Sequence, residues 1–214
     1  HIVNAKTTSA VHAIIPLAIL ESMRAQDVPA PDGLDEFHAD FTTKRLGMSH
    51  TVSRQIDRYR EMAAQNRRVD RQEVVALLEL AARRKDADLL FADAGRRAAS
   101  RASEGVSKGM RRRWTWLPAF AGRRLGVRLA GRVLRGIFEV VLERDGHGFE
   151  AHAADHSVAQ ATPDGGACAF YGSAIAATLR EFTNFDGAVL HQECRATGAS
   201  VCRWNTGHPK GTDS

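Results

Sequence analysis

Residues 168–206 read CAFYGSAIAATLREFTNFDGAVLHQECRATGASVCRWNT and contain all three cysteines of the chain. An apolar stripe recurs at helical spacing in the first half of this segment, formed by Tyr171, Ile175, Leu179 and Phe182. This stripe predicts one amphipathic helix. Residues 187–194 and 201–206 then predict two strands that are joined around Gly198. The segment therefore predicts a helix followed by an antiparallel hairpin.

A second hairpin is predicted just upstream. Residues 140–142 and 149–154 favour its two strands, because apolar residues alternate on both sides of an Asp-Gly turn at 145–146. Residues 122–138 predict the preceding helix, since their apolar side chains share one broad face. The order of helix, hairpin, helix and hairpin predicts an α+β fold, in which helices pack on one face of an antiparallel sheet.

The N-terminal half is predicted to be helical. Helical patterning recurs over residues 10–25, 36–65, 70–81 and 86–102, of which the second range could form two consecutive helices. Asp70 followed by Glu73 predicts a capping box at the start of the helix over 70–81. We expect residues 1–66 to form a helical extension and residues 67–214 to form the main domain.

The composition is that of an ordinary globular domain. The chain has 214 residues, of which 43% are hydrophobic and 26% are charged, so wholesale disorder and fibrous repeats are excluded. The longest apolar stretch, residues 10–20, is about half of what a bilayer crossing needs and contains His12 and Pro16. No pattern of a secretory signal is recognised, and a cytoplasmic location is expected.

Positive charge is concentrated in one segment. Residues 96–135 contain twelve Lys or Arg and one acid, Glu104, so this segment carries +11 while the whole chain carries +5. Four of its arginines share an arc of roughly 80° on the helix over 122–138, namely Arg124, Arg128, Arg132 and Arg135. Such a segment suits an acidic ligand or a peripheral contact with an anionic membrane. Nucleic acid is less favoured, because no recognition motif accompanies the arginines.

The three cysteines and one histidine are spaced for a metal site. Cys194 and Cys202 are symmetric about Gly198, so a simple hairpin places them opposite each other. Cys168 stands at a helix start, where the helix dipole favours the thiolate that a metal requires. His191 can supply the fourth ligand. Three sulfurs and one imidazole make a closed tetrahedral zinc site of the structural kind.

Other states of these residues are open at this stage. The cysteines could be buried without a ligand, or Cys194 and Cys202 could form a disulfide across the hairpin. Strict alternation places His191 and Cys194 on opposite faces, so the metal site requires a β-bulge or a strand end between them. Glu193 is the substitute ligand if His191 points away. Iron is disfavoured, because the spacing fits no common iron–sulfur pattern.

The same residues resemble a known family. The C-terminal motif of the 4-vinyl-reductase domain is similar to the arrangement here of Cys168, Gly172, His191, Cys194, Gly198 and Cys202. That domain is named for a bacteriochlorophyll-biosynthesis protein and also occurs in sensor modules of regulators that respond to aromatic hydrocarbons. The ligands lie 23, 26 and 34 residues after the first cysteine, which looks the same as in zinc-binding members. In those members the second ligand is usually Glu, whereas this chain has His191.

The resemblance covers about residues 86–206 and is closest to the bacteriochlorophyll branch. It implies a fold similar to those of the vesicle-tethering TRAPP subunits and the haem-nitric-oxide sensors. It also implies a structural zinc ion, a homodimer, and a hydrophobic pocket between helices and sheet.

Aromatic and apolar side chains that suit a flat hydrophobic ligand are expected to line or gate this pocket. They are Trp114, Trp116, Leu117, Phe120, Leu134, Phe138, Phe170 and Tyr171. Arg128 and Arg132, on the arginine face of the helix over 122–138, are added as binding residues. The arginines at 111–113 suit a membrane interface or carboxylate side chains of a ligand, with a solvated loop as the alternative. The alternative for each apolar residue is ordinary packing in the core.

Two functions of different classes fit these observations. The first is a binding module that captures a chlorophyll-type tetrapyrrole or an aromatic hydrocarbon for delivery or sensing. The alternative is an enzyme or accessory subunit of bacteriochlorophyll vinyl reduction. Binding is favoured because the chain has no dinucleotide fingerprint, phosphate-binding loop or Ser/His/Asp order.

Five histidines could serve as a general base or as an axial ligand to the metal of a tetrapyrrole. The alternative for each is an ordinary place on the surface or in the core. They are His38, His50, His147, His152 and His156.

Overall fold

The computed structural model describes residues 10–27, 49–114, 119–145, 148–154, 162, 164–183 and 185–207. It describes the backbone alone for residues 107–114, 119–121, 123, 145 and 207. The helical residues expected over 36–48 lie outside the described residues.

The described residues contain six α-helices and six strands. The helices are α1 (Ile14–Asp27), α2 (His50–Ala64), α3 (Arg71–Ala82), α4 (Ala87–Trp114), α5 (Ala119–Phe138) and α6 (Ala169–Thr183). The strands are β1 (Ala10–His12), β2 (Arg68–Asp70), β3 (Val141–Asp145), β4 (Gly148–Ala153), β5 (Ala188–Glu193) and β6 (Cys202–Gly207). Two short 3₁₀ turns, η1 (Gly166–Cys168) and η2 (Arg195–Thr197), flank α6 and β5. Within these residues no helix combines the length and the apolar character that a bilayer crossing requires.

Four of the strands form one antiparallel sheet in the order β3-β4-β6-β5. Both predicted hairpins are present, and β6 joins them by pairing with β4. The central strands bury one face, on which Ala151 lies opposite Trp204 and Ala153 opposite Cys202. Helix α6 packs on this face, where the ring of Tyr171 stacks on that of Trp204 at 5.8 Å. The predicted α+β class, with helices packed against an antiparallel sheet, is confirmed.

A second, two-stranded sheet was not expected from the sequence. β1 pairs with β2, so that Val11 lies opposite Val69. The imidazole of His12 hydrogen-bonds Asn66 at 2.9 Å beside this pair. The small sheet holds the buried helix α1 beside α3 and α4, and the side chains of these helices belong to one hydrophobic core. Residues on both sides of the expected boundary at 66 therefore share that core.

Helix α3 begins as predicted, but its capping box is only half formed. The backbone N–H of Gln72 donates to Asp70 Oδ1 at 2.8 Å, so Asp70 is the N-cap. Glu73 instead accepts hydrogen bonds from Arg58 at 2.7 Å and from Tyr59. Because these partners lie on α2, Glu73 ties α2 to α3.

Candidate metal centre

The four predicted metal ligands come together where the loop of the β5–β6 hairpin meets the start of α6. The ligand atoms of Cys168, His191, Cys194 and Cys202 all lie within 4.8 Å of one another. The Sγ atoms of Cys168 and Cys194 are 3.8 Å apart. Zinc–sulfur bonds of about 2.3 Å in a tetrahedron place two sulfurs about 3.8 Å apart. The cluster therefore has the size and ligand types of a tetrahedral metal site, and all three cysteines are free thiols.

A tight turn before α6 positions Cys168. The N–H of Gly165 donates to the carbonyl of Thr162 at 3.0 Å, and the N–H of Cys168 donates to the carbonyl of Gly165 at 2.9 Å. Gly165 has a φ of 74°, which lies in the left-handed region that favours glycine. The turn delivers Cys168 into the interior, where it is 1% exposed.

A second turn brings the two hairpin cysteines together. Cys194 follows β5 directly, and its carbonyl accepts hydrogen bonds from the N–H groups of Thr197 at 3.2 Å and Ala199 at 3.1 Å. Cys202 is the first residue of β6, and the N–H of Arg195 donates to its Sγ at 3.2 Å. A backbone donor of this kind favours the thiolate form of a metal-binding cysteine.

A β-bulge brings His191 to the same side as the cysteines. His191 pairs with Trp204 and Glu193 pairs with Arg203, so Gln192 is an extra residue on β5. The bulge that the metal site requires is therefore present. The imidazole stacks on the indole of Trp204, with ring centroids 5.0 Å apart and planes at 14°. Glu193, the substitute ligand, instead accepts from Arg203 at 3.3 Å and does not belong to the cluster.

The sulfurs of the cluster perturb one another electrostatically. A hydrogen bond with Cys202, burial, and the nearby sulfurs of Cys202 and Cys194 raise the pKa of the Cys168 thiol. These causes act against the helix dipole, which by itself favours the thiolate. A divalent cation among the sulfurs would stabilise the thiolates and reverse the direction.

The four ligands differ in exposure. Cys168 and Cys202 are buried, Cys194 is half-buried and His191 is exposed. The cluster therefore lies at an edge of the sheet and can be reached by a metal ion from the side of the imidazole.

The described residues of the expected pocket lie inside the core. Leu134, Phe138, Phe170 and Tyr171 are at most 3% exposed. The ring of Phe170 contacts those of Phe138 at 6.1 Å and Tyr171 at 5.4 Å, between centroids.

The other expected binding residues do not join this cluster. Arg128 and Arg132 are exposed on α5, whereas Leu134 and Phe138 of the same helix are buried. Trp116, Leu117 and the side chains of Trp114 and Phe120 lie outside the described residues.

Two of the five singled-out histidines are described. His50 is exposed at the start of α2, and His152 is half-buried on β4. Neither belongs to the metal cluster. His38, His147 and His156 lie outside the described residues.

Sequence reasoning missed Gly165. A Cβ atom built at this residue would lie 2.6 Å from Cys194 Sγ, closer than real Cβ contacts come. The Asp-Gly-Gly run ahead of Cys168 signals a turn, but only the folded chain shows that the turn passes against the sulfur of Cys194.

We expect Gly165→Ala to weaken metal binding by about tenfold or more, a loss typical of changes next to metal ligands. The matched control is Gly198→Ala, because Gly198 also has a positive φ, of 105°, but its added Cβ would contact nothing within 4 Å. Titration with a metal indicator measures both affinities. Equal affinities in the two variants would show that backbone conformation, not contact with Cys194, is what matters at Gly165.

These features define an α+β domain with a cluster of three cysteines and one histidine. Comparison of the chain with protein-family models, curated proteins and solved structures finds no match. Its resemblance to the 4-vinyl-reductase domain therefore rests on the sequence motif.

Proposed function

We propose that this chain is a small-molecule-binding domain of the 4-vinyl-reductase type, held together by a structural zinc ion. One observation supports the zinc ion above all others. Four ligand atoms of the types that zinc prefers, three sulfurs and one imidazole nitrogen, lie within 4.8 Å of one another. Four protein ligands fill a tetrahedral shell and leave no position for a reacting water, so the role of the ion is structural.

The ion would join parts of the chain that are distant in sequence. Cys168 precedes α6, whereas the other three ligands belong to the β5–β6 hairpin. Metal binding would thus fix the position of α6 on the sheet, and its free energy would add to that of folding.

The proposed ligand is a flat hydrophobic molecule, either a chlorophyll-type tetrapyrrole or an aromatic hydrocarbon, that is captured for delivery or sensing. The motif resemblance supports this part of the proposal. The aromatic residues of the expected pocket that are described, Phe138, Phe170 and Tyr171, pack on one another in the core, so the ligand rests on the motif alone. The proposed assembly is a homodimer, as the resemblance implies.

Native mass spectrometry of the purified chain tests the metal and the assembly together. We expect one zinc ion per chain, a dimer, and loss of the zinc after treatment with a chelator. A metal-free chain or an iron adduct would contradict the proposed site.

Thermal shift assays with porphyrins and polycyclic hydrocarbons test the ligand separately. If the protein contains zinc but none of these compounds raises its melting temperature, the proposed metal site is supported and the proposed ligand is wrong.

A further inference from the structure

Helix α5 presents a row of arginines that no described acid neutralises. The arginine row consists of Arg124, Arg128, Arg132 and Arg135, all of which are exposed. Over the described residues none of the four forms an ion pair. The acid nearest in sequence, Glu139, is already bound by Arg68 at 2.8 Å and Arg71 at 3.1 Å. At 1.5 Å per residue the row runs about 16 Å along the helix.

Arginines of the same basic segment on α4 behave differently. Arg97 and Arg96 both pair with Asp93, at 2.5 Å and 3.5 Å. Arg101 pairs with Glu21 of α1 at 2.7 Å. The structure thus divides the described arginines of the segment into a group on α4 that forms ion pairs and a row on α5 that forms none.

The face of α5 opposite the arginine row packs in the hydrophobic core. Its buried hydrophobic residues are Leu129, Ala130, Val133, Leu134 and Phe138. The helix therefore lies flat against the protein and exposes its arginines along one side. A partner must meet them with negative charge that is spread over a surface.

Nucleic acids fit this row poorly. Sequence-specific readout of duplex DNA needs side chains that reach base edges in the major groove, and no recognition motif accompanies these arginines. Single strands are held by aromatic side chains on which bases stack. The exposed large hydrophobic residues of the described chain are Leu80, Leu89 and Leu190, and none of them is aromatic or lies on α5.

We propose that the arginine row is a docking surface for a bilayer containing anionic phospholipids. Such a bilayer offers phosphate and carboxylate groups over a plane, which a flat row can meet without inserting apolar side chains. Attachment through charge alone is peripheral, reversible and sensitive to salt. Each arginine near the surface strengthens attachment by about fivefold. The proposal does not depend on the metal or on the hydrophobic ligand.

Sedimentation with vesicles tests this surface in the full chain. We expect the wild type to bind vesicles of phosphatidylcholine mixed with phosphatidylserine, to ignore vesicles of phosphatidylcholine alone, and to be released by high salt. The double variant Arg128→Gln/Arg132→Gln should bind about 25-fold more weakly. The matched control Arg96→Gln/Arg97→Gln removes the same charge from paired arginines and should bind nearly as the wild type does.

Three results would overturn the proposal. The first is that the wild type does not bind the anionic vesicles. The second is that the variant and its control lose vesicle affinity equally. The third is that the wild type binds duplex DNA more tightly than vesicles at the same salt concentration. Circular dichroism confirms that each variant is folded. If the first double variant does not fold, Arg124→Gln/Arg135→Gln tests the same row with the same expected loss.

Discussion

Protein with the substitution Cys202→Ser is expected to lose its bound metal and to melt about 10 °C below the wild type. Cys202 is fully buried at the start of β6 and accepts a hydrogen bond from the backbone of Arg195. A serine hydroxyl is a poor zinc ligand beside two thiolates, so the remaining residues bind the ion weakly. When free zinc exceeds the Kd a thousandfold, the lost stabilisation is about 4 kcal/mol. A chain of this size shifts by about 2–4 °C per kcal/mol.

A chelator provides the control for this substitution. If the ion connects α6 to the hairpin, the chelator should lower the melting temperature of the wild type to near that of Cys202→Ser. It should leave the variant almost unchanged, because the variant has no ion to lose. Differential scanning calorimetry with elemental analysis of the same samples measures both effects. A wild type that contains zinc but melts at the same temperature with and without chelator would show that the ion does not hold these elements together.

The sequence was sufficient to predict the helices and strands whose side-chain periodicity is strong. The stripe from Tyr171 to Phe182 predicted α6, and alternation around an Asp-Gly turn predicted β3 and β4. The two strands of the small β1–β2 sheet are three residues each, too short for any period to emerge. Helix α4 runs to Trp114, beyond the expected end at residue 102, because its charged C-terminal part lacks the apolar stripe on which the prediction relied.

The candidate site was predictable in its ligands but not in its surroundings. Cysteine spacing about Gly198 predicted that Cys194 and Cys202 lie together. The need for His191 predicted a bulge or a strand end before Cys194, and the structure has a bulge at Gln192. The stacking of His191 on Trp204 depends on the register between β5 and β6, which the sequence does not specify. Apolar residues of a pocket and of a core look alike in a sequence.

The substitution Gly95→Ala is expected to destabilise the fold by about 3 kcal/mol, near the upper end of the usual cost of overpacking. Gly95 lies on α4 where this helix crosses α6. An added Cβ would lie 2.2 Å from the carbonyl oxygen of Phe170 and 3.1 Å from the backbone N of Ala174. Because both atoms belong to the backbone of α6, no side chain can rotate away to make room. The two helices would have to separate, which loosens the packing of Phe170 in the core.

The matched control for this substitution is Gly105→Ala on the same helix. No atom lies within 4 Å of a Cβ built at Gly105. Alanine is a better helix former than glycine, so this variant should gain about 0.5–1 kcal/mol. The same propensity gain applies at Gly95, and the difference between the variants therefore isolates the cost of the close approach. Urea denaturation of both proteins measures it as a shift in the midpoint at a constant slope.

The displacement of α6 that Gly95→Ala causes should also weaken metal binding. Helix α6 begins directly after Cys168, and its first turn contains Phe170, the residue that the new methyl group would push. A shift of this turn moves the Sγ of Cys168 away from the other sulfurs, so Gly95→Ala should bind zinc more weakly while Gly105→Ala binds it normally. A Gly95→Ala protein that is as stable as the wild type would contradict the close packing of α4 on α6. One that is destabilised but binds zinc with unchanged affinity would show that the turn before α6 moves independently of the helix.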